Sequence, residues 1–396
     1  MLGSTYIMFN VVVSHSNDPD TSAATEDIVV QCQEQLGGQK PSAGLLFAAI
    51  DFDHQSLLNG IMDVWPDLQL IGCTTDGEVS SILAFQQDSV TLMLFCTDNT
   101  IQISAGIGRD VAIDAAASAG AAISCAIQTL TKPVRLCIAV SESLGVNSKS
   151  ILDGLADALP AGVPVVGGLA ADRWQFDTTY QFHGRTLCSN AVPVLVFAGA
   201  LQYGHGVASG WQPIGNPGTV TRSEANTIFE IDGKPALSYY RDYLGEHEPS
   251  SNYPLAVFTD DERFYLRAPS GEFDVDTGSV DFFAEVPQGA KVQMSESNRD
   301  NILAASRESM LQAITAYGPG EPAAVLYFSC ASRRQLLGTR THEEFELARS
   351  CSGISAPSCG FYTNGEISPM ELNGPVSFHN ETFISLLIGP EIQGKT

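Results

Sequence analysis

The feature that most constrains this chain is a short pattern that occurs twice, far apart along the sequence. Residues 73–80 (CTTDGEVS) and 361–368 (FYTNGEIS) share a Thr, an Asp or Asn, a Gly-Glu pair, an aliphatic residue and a Ser in the same order. A pattern repeated over such a separation indicates related structural units with equivalent turns. The alternative interpretation is two ordinary turns, in which Asp-Gly or Asn-Gly supplies a positive φ.

The segments around this pattern repeat as well, because brief apolar runs typical of buried strands alternate with apolar residues at helical spacing. Strands are predicted at 44–50, 70–78, 89–95, 135–140, 163–168, 192–197, 324–328 and 383–388. Helices are predicted around 57–62 and at 112–130, 151–159 and 298–317. Residues 341–344 have the spacing of a capping box that opens a further helix. We therefore expect an α/β (α+β) fold in which repeated βαββ units form mixed sheets covered by helices.

The region between the second and third copies has a different character. Residues 203–218 are rich in Gly and Pro, and residues 254–295 have the pattern of short strands. A turn at 231–233 leads through Pro235 into a helix that ends at Gly245. At 396 residues the chain also exceeds the usual size of a single core. We expect two domains, residues 1–225 and residues 226–396.

Charge and hydropathy narrow the functional classes. The chain has 45 Asp and Glu against 20 Lys and Arg, and this acidic field argues against nucleic-acid and membrane binding. No apolar run reaches the roughly 18–20 residues of a membrane helix, and residues 1–9 lack the basic start of a signal peptide. The nine cysteines are odd in number and scattered through apolar runs, which is typical of reduced thiols. We expect a cytoplasmic protein.

Six segments identify the chain further: residues 71–78, 165–172, 209–215, 230–237, 360–367 and 378–382. Taken in order, they make the chain resemble the FIST family of sensory proteins, which pair a FIST N-terminal domain with a C-terminal companion. The resemblance implies a module that binds a small ligand, such as an amino acid, and signals to a histidine kinase, a cyclic-dinucleotide enzyme or a chemoreceptor. Stand-alone members of similar length resemble haem-binding nitric-oxide sensors. Because no fused output segment is recognisable, we expect haem-based nitric-oxide sensing that regulates a separate sensor histidine kinase.

Haem requires an axial ligand, commonly an imidazole or a thiolate, within an apolar slot. We take His183 and His205 as candidate haem-iron ligands, because both lie outside the repeated pattern. His205 lies between Gly204 and Gly206, whose missing Cβ atoms would give a planar macrocycle backbone clearance. The alternative for each histidine is a hydrogen-bonded or exposed imidazole. One departure from the family is Ser209, which stands where many members have a His before the Gly-Trp pair.

Both histidines also count among the candidate ligand-binding residues, and six more join them: Gly167, Gly168, Asp172, Arg173, Trp174 and Trp211. The glycine pair could admit a ligand closely, with tight strand packing as the alternative. An Asp-Arg pair beside an indole would suit the charged ends and the carbon frame of an amino acid. The alternative there is a solvated turn with a buried Trp. A sensor of amino acids or another small metabolite, without haem, is thus the first alternative function.

An enzyme is the second alternative. Cys73 or Cys359, near the Gly-Glu turns, could act as a nucleophile in a hydrolase-like reaction. Neither a G-x-S-x-G nor an HExxH motif supports this, and no Cys-His pairing has a known spacing. We therefore expect no catalytic activity. The sequence is also compatible with a homo-oligomer.

Overall fold

The computed structural model describes residues 8–392, and three copies of one unit form most of it. The first unit contains β1 (Phe9–Ser16), α1 (Thr21–Leu36), β2 (Ala43–Ala49), α2 (His54–Val64), β3 (Gln69–Thr75), β4 (Glu78–Ser80), β5 (Ala84–Gln86) and β6 (Val90–Thr97). The second contains β7 (Ile101–Arg109), α3 (Ala115–Ile127), β8 (Val134–Ser141), α4 (Ser148–Ala158), β9 (Val165–Leu169), β10 (Gln181–His183), β11 (Thr186–Cys188) and β12 (Ala191–Gly199). Element by element, the two units follow the same order.

The third unit begins with β13 (Leu201–Ala208) and is then interrupted. The inserted region contains β14 (Gln212–Pro213), β15 (Gly218–Glu224), β16 (Thr227–Ile231), β17 (Lys234–Pro235), α5 (Ala236–Leu244), β18 (Leu255–Phe258), β19 (Phe264–Arg267), β20 (Pro269–Asp274), β21 (Ser279–Phe282) and β22 (Lys291–Glu296). The unit resumes with α6 (Arg299–Tyr317), β23 (Ala324–Cys330), α7 (Ala331–Leu337), α8 (Thr341–Ser352), β24 (Ser358–Thr363), β25 (Glu366–Pro369), β26 (Val376–His379) and β27 (Phe383–Pro390). The expected repeats, and a mixed fold covered by helices, are therefore confirmed.

The three units exchange hairpins. The first sheet has the order β1-β6-β2-β3-β10-β11, so its last two strands come from the second unit. The second sheet, β7-β12-β8-β9-β25-β26, ends with a hairpin of the third unit, and the third sheet, β13-β27-β23-β24-β4-β5, ends with the hairpin of the first. The inserted region forms a separate nine-stranded sheet. Each unit thus completes the sheet of another.

Three equivalent glycines show how closely the units correspond. A Cβ built on Gly72, Gly167 or Gly360 would lie 1.8, 1.9 or 2.1 Å from a carbonyl oxygen of the neighbouring parallel strand. Only glycine fits where two backbones approach this closely. For Gly167 this is the tight strand packing named as the alternative to ligand contact.

The inner faces of the three sheets pack into one apolar core. Phe47 of the first sheet lies 4.5 Å from Phe361 of the third, measured between ring centroids. Phe95 and Phe197 join the first and second sheets at 5.5 Å in an edge-to-face contact. The centre between the sheets is therefore filled, and space for a ligand has to be sought at the ends of the strands.

One local prediction is wrong. α8 begins at Thr341 as expected, but Thr341 is a helical residue and no side chain caps the helix. The Thr341 hydroxyl donates to the carbonyl of Gly338 at 2.7 Å, while the carboxylate of Glu344 is buried against Arg333. The Thr-x-x-Glu spacing is therefore used for a turn and a buried ion pair instead of a capping box.

Two further findings concern the whole described chain. No helix within residues 8–392 is long and apolar enough to span a membrane. The nine cysteines are all free thiols, and seven of them are buried. The expectation about the amino-terminal apolar run falls mostly on residues 1–7, which lie outside the described part.

Candidate functional site

The turns that follow β3, β9 and β24 meet at one end of the three-sheet body. Three main-chain hydrogen bonds join them, from Asp76 N–H to Tyr362 O at 2.9 Å, from Ala171 N–H to Thr74 O at 2.9 Å and from Leu169 N–H to Gly365 O at 2.8 Å. These turns include both copies of the repeated sequence pattern. The carboxyl ends of parallel strands, where ligands commonly bind in α/β proteins, therefore converge here.

A recess of about 550 Å³ opens beside these turns, and we call it the junction recess. It is lined by Asp76, Phe85, Gln87, Arg173, Trp174, Gln175, Arg334, Gln335, Gly338 and Thr341. The first unit contributes the first three of these residues, the second unit the next three and the third unit the last four. A molecule bound in the recess would therefore contact all three units at once.

An ion pair joins two walls of the junction recess. Nη1 of Arg334 lies 2.7 Å from Oδ2 of Asp76 and also donates to the main-chain carbonyl of Asp76 at 2.6 Å. Asp76 is buried, and burial raises the pKa of its carboxyl group to about 6, although the Arg334 guanidinium acts in the opposite direction. At neutral pH the carboxyl group of Asp76 is therefore mostly ionised, but the ionised form lowers the stability of the folded state.

The second unit contributes a strained loop to the recess. The carboxylate of Asp172 accepts three main-chain N–H groups from residues 176–178, at 3.0, 2.7 and 3.2 Å. Arg173, Trp174 and Phe176 have φ angles of 59°, 61° and 51°, in the left-handed region that non-glycine residues avoid. Such conformations cost on the order of 1–3 kcal/mol each and cluster at ligand clamps and switch regions. Asp172 therefore holds the loop in shape without lining the recess.

Arg173 supplies a second cation to the recess. Its guanidinium forms ion pairs with Asp51 at 2.7 Å and with Asp88 at 2.6 Å, and about a quarter of the side chain is exposed. The adjacent Trp174 packs its ring 5.0 Å from that of Phe176 and stacks at 6.3 Å on Phe283 of the inserted region. The loop thus connects the junction recess to the inserted region.

The structure separates the residues that the sequence grouped as candidates. Arg173 and Trp174 line the junction recess. Gly168 does not line the recess. Its missing side chain makes room for Thr363, since a Cβ there would lie 2.9 Å from the Thr363 side chain. Trp211 is buried in a different apolar cluster, which includes Ile302 and Leu337, and its ring is not part of the recess. These candidate residues therefore do not share one site.

The two candidate haem ligands lie on different sheets. His183 is half-buried on β10 of the first sheet, and His205 is buried on β13 of the third. Burial lowers the pKa of both imidazoles, so both are neutral at physiological pH. Neither lines the junction recess. Within residues 8–392, no group of three or more His, Cys, Asp or Glu side chains is placed to hold a metal ion.

The surroundings of His205 differ from the expected haem slot. A Cβ on Gly204 would lie 2.2 Å from the main-chain nitrogen of Tyr317, and one on Gly206 would lie 2.1 Å from the carbonyl oxygen of Ser309. Both of these atoms belong to α6, so the clearance expected for a macrocycle is used for helix packing, and that expectation is wrong. Nε2 of His205 lies 3.1 Å from the carbonyl oxygen of Pro369, and Nδ1 has no hydrogen-bond partner among the described residues.

The thiols considered as nucleophiles are inside the protein. Cys73 and Cys359 are both fully buried, and burial raises the pKa of each thiol above its ordinary value. Glu78 raises the pKa of Cys73 further by charge repulsion. A thiol in such surroundings stays protonated and packs as a small apolar side chain.

Sequence reasoning missed most of the recess. Asp76 lies in the repeated turn pattern, which was a usable signal, although an ordinary turn explains the same residues. Arg334 and Phe85 carry no pattern that predicts a site. Phe85 lies on β5, which pairs with β4 of its own unit, whereas Arg334 belongs to α7 of the third unit and comes close to Asp76 because β24 pairs with β4.

Comparison with known proteins shows the family to which this chain belongs and several proteins that are similar to it. Residues 42–234 match the FIST N domain, and residues 236–369 match the FIST C domain. An uncharacterised protein of Mycobacterium tuberculosis is 24% identical over 391 residues, covering 93% of this chain and 95% of the relative. An uncharacterised protein of Methanocaldococcus jannaschii is 26% identical over 245 residues, covering 58% of this chain and 46% of the relative. Among solved structures, cyanuric acid hydrolase from A. caulinodans is similar at a TM-score of 0.38 and 11% identity, over 97% of this chain and all of the hydrolase.

Proposed function

Because this chain belongs to the FIST family of ligand-sensing proteins, we propose that it is a small-ligand sensor whose ligand binds in the junction recess. The observation that carries the proposal is the composition of that recess. All three units line it, and charged groups of both signs face it. A ligand that bridges the units would stabilise one arrangement of the units over others, and such a difference in affinity is what a sensor requires.

The chemistry of the lining favours a small molecule with both an acidic and a basic group, such as a free amino acid. The guanidinium groups of Arg334 and Arg173 are suited to a carboxylate, and Asp76 is suited to an ammonium group. Trp174 and Phe85 offer apolar surface for the carbon frame. The Asp76–Arg334 pair would open as the ligand replaces each partner, so no charge would be left buried alone.

A thermal-shift screen with the twenty amino acids tests this proposal. At a ligand concentration of 100 Kd, binding to the native state alone adds about 2.7 kcal/mol of stability, which raises Tm by several degrees. Asp76→Asn should abolish the shift. Asp63→Asn should leave it unchanged, because Asp63 is exposed and pairs with Arg185 on the surface, away from the recess. If an amino acid still shifts the Tm of Asp76→Asn, the ligand binds at a site other than the recess. If no amino acid shifts the Tm of the wild type, this ligand class is rejected.

Haem-based nitric-oxide sensing stays a prediction from the family resemblance. One observation favours it, since the buried His205 has an Nδ1 without a partner among the described residues. The packing of α6 against both flanking glycines argues against it. Reconstitution with haem followed by an absorption spectrum decides the matter. A Soret band that shifts with nitric oxide and is lost in His205→Ala or His183→Ala would support it, and a protein that takes up no haem would reject it.

We propose further that the protein acts by binding rather than by catalysis, in the cytoplasm, and that a separate histidine kinase or cyclic-dinucleotide enzyme carries its output. The family resemblance supports this, and the buried, protonated thiols offer no nucleophile at the recess. Copurification of a tagged chain from its native host, with and without an amino acid that gives a thermal shift, would identify the partner. Ligand-dependent recovery of neither enzyme class would contradict the proposal.

A further inference from the structure

Arg267 of β19 is a cation that forms no ion pair among the described residues, in a chain rich in acids. The sequence has 45 Asp and Glu against 20 Lys and Arg, so carboxylates are not scarce. The buried Arg333 pairs with Glu344 at 2.7 Å, as a buried cation normally does. Arg267 differs, because all three hydrogen bonds of its guanidinium among the described residues go to main-chain carbonyl oxygens.

The Arg267 guanidinium is held rigidly. Its Nε donates to the carbonyl oxygen of Glu285 at 3.0 Å, and Nη1 donates to the carbonyl oxygens of Leu266 and Phe378 at 2.9 and 3.1 Å. Its central carbon lies 4.3 Å from the ring centroid of Tyr265 and 5.8 Å from that of Phe378. Nη2 makes no hydrogen bond with the described residues. The cation is therefore fixed in place and still has donors to offer.

Arg267 also lines a cleft of about 270 Å³ where the inserted region meets α4 and β26. Besides Arg267, its lining includes Asn147, Lys149, Asn226, Tyr265 and Phe378. Asn147 and Lys149 belong to the amino-terminal end of α4, where the helix dipole favours an anion, although the side chain of Asn147 already accepts the N–H of Ser150 at 3.0 Å. Lys149 adds a charge, although its Nζ also pairs with Asp153 at 2.6 Å. Asp153 and Glu285 line the cleft as well. Asp153 is already paired with Lys149, whereas Arg267 forms no ion pair among the described residues. Two cations, a helix end and aromatic rings thus lie around one small space together with these two carboxylates.

We propose that this cleft is a second ligand site, separate from the junction recess, and that it binds a small organic anion such as an aromatic carboxylate. The carboxylate would accept hydrogen bonds from Nη2 of Arg267, where a charge-assisted pair gains strength in a partly desolvated site. The carbon frame would pack against Tyr265 and Phe378. Burial lowers the pKa of Arg267 only to about 10, so the guanidinium stays charged at neutral pH.

Calorimetric titration with benzoate tests the site, with benzamide as the uncharged probe of the same shape. The wild type should bind benzoate at least tenfold more tightly than benzamide. Arg267→Met, which keeps the apolar stem and removes the charge, should weaken benzoate binding by about tenfold to a hundredfold. Arg307→Met is the matched control, because Arg307 is an exposed cation of α6 outside the cleft. This variant should bind benzoate with the affinity of the wild type.

A second variant allows the proposal to be tested even if Arg267→Met does not fold. Asn226→Asp adds a negative charge to the lining without changing its volume, and should also weaken benzoate binding by tenfold or more. Equal benzoate affinity in the wild type and in both cleft variants would overturn the proposal. So would equal affinity for benzoate and benzamide, or no benzoate binding by the wild type. Asp76→Asn leaves the cleft intact and should bind benzoate normally, so failure of the recess proposal would be seen independently.

Discussion

Replacing Asp76 with Asn should make the protein more stable at neutral pH. Burial raises the pKa of this carboxyl group from 3.8 to about 6, despite the ion pair with Arg334. At about 1.36 kcal/mol for each pH unit, the charged form is disfavoured in the folded state by about 3 kcal/mol. Asp76 is only 1% exposed, so solvent screening does not reduce this figure. The amide removes the cost, and Arg334 keeps its hydrogen bond to the main-chain carbonyl of residue 76.

The pH dependence gives the sharper test. Because the folded-state pKa lies above the unfolded value, the contribution of Asp76 to stability is fully present below pH 3.8 and is lost as the pH rises through about 6. The gain from Asp76→Asn should therefore be close to zero at about pH 3.5 and should approach 3 kcal/mol near pH 7. Above that pH it should stay constant.

Urea unfolding at a series of pH values, followed by tryptophan fluorescence, measures this difference. Asp63→Asn is the control, because its side chain is 71% exposed and its ion pair with Arg185 lies on the surface. Its stability change should stay small at every pH. A gain for Asp76→Asn that does not vary with pH would refute the reasoning, and so would a loss of stability at pH 7.

Three further substitutions test other parts of the structure. Gly167→Ala should lower the free energy of unfolding in urea by about 3 kcal/mol or more, because the new Cβ would lie 1.9 Å from a backbone oxygen. Gly120→Ala in α3 is the control and should leave this free energy unchanged or raise it slightly. Arg333→Met should lower the calorimetric stability by about 3–5 kcal/mol, because it removes the cation that pairs with the buried carboxylate of Glu344; a change under 1 kcal/mol would contradict this role of the ion pair. Asp172→Ala should speed amide exchange at residues 176–178 at least tenfold, since each N–H loses its acceptor, and unchanged exchange would contradict that role.

Local structure could be predicted well wherever apolar spacing decides it. α6 was expected at 298–317 and spans Arg299–Tyr317, with the side chain of Asn298 capping its first turn. The helix that follows Pro235 ends at Leu244 with Gly245 as its C-cap, which agrees with the expected end at residues 244–245. These elements depend on neighbours within a few residues, so the sequence carries enough information to place them.

The site could be predicted only in part, because its residues meet through pairing between units. Arg173 and Trp174 were candidates and do line the recess. Asp76 and Arg334 are 258 positions apart, and the pairing of β4 with β24 that brings them together leaves no trace in either segment alone. Gly204 and Gly206 failed as indicators of a ligand because a missing Cβ equally permits a helix to pack closely, as α6 does.

The exchange of hairpins has a consequence for how the chain can be divided. The two family domains meet near residue 235, but a fragment ending there would keep β4 and deprive it of β24, its pairing partner in the third sheet. It would likewise expose the edge of β9, which β25 covers in the whole chain. Each half would lack strands that complete its sheets, so protein for biophysical work should span both, and we expect the entire three-sheet body to melt cooperatively.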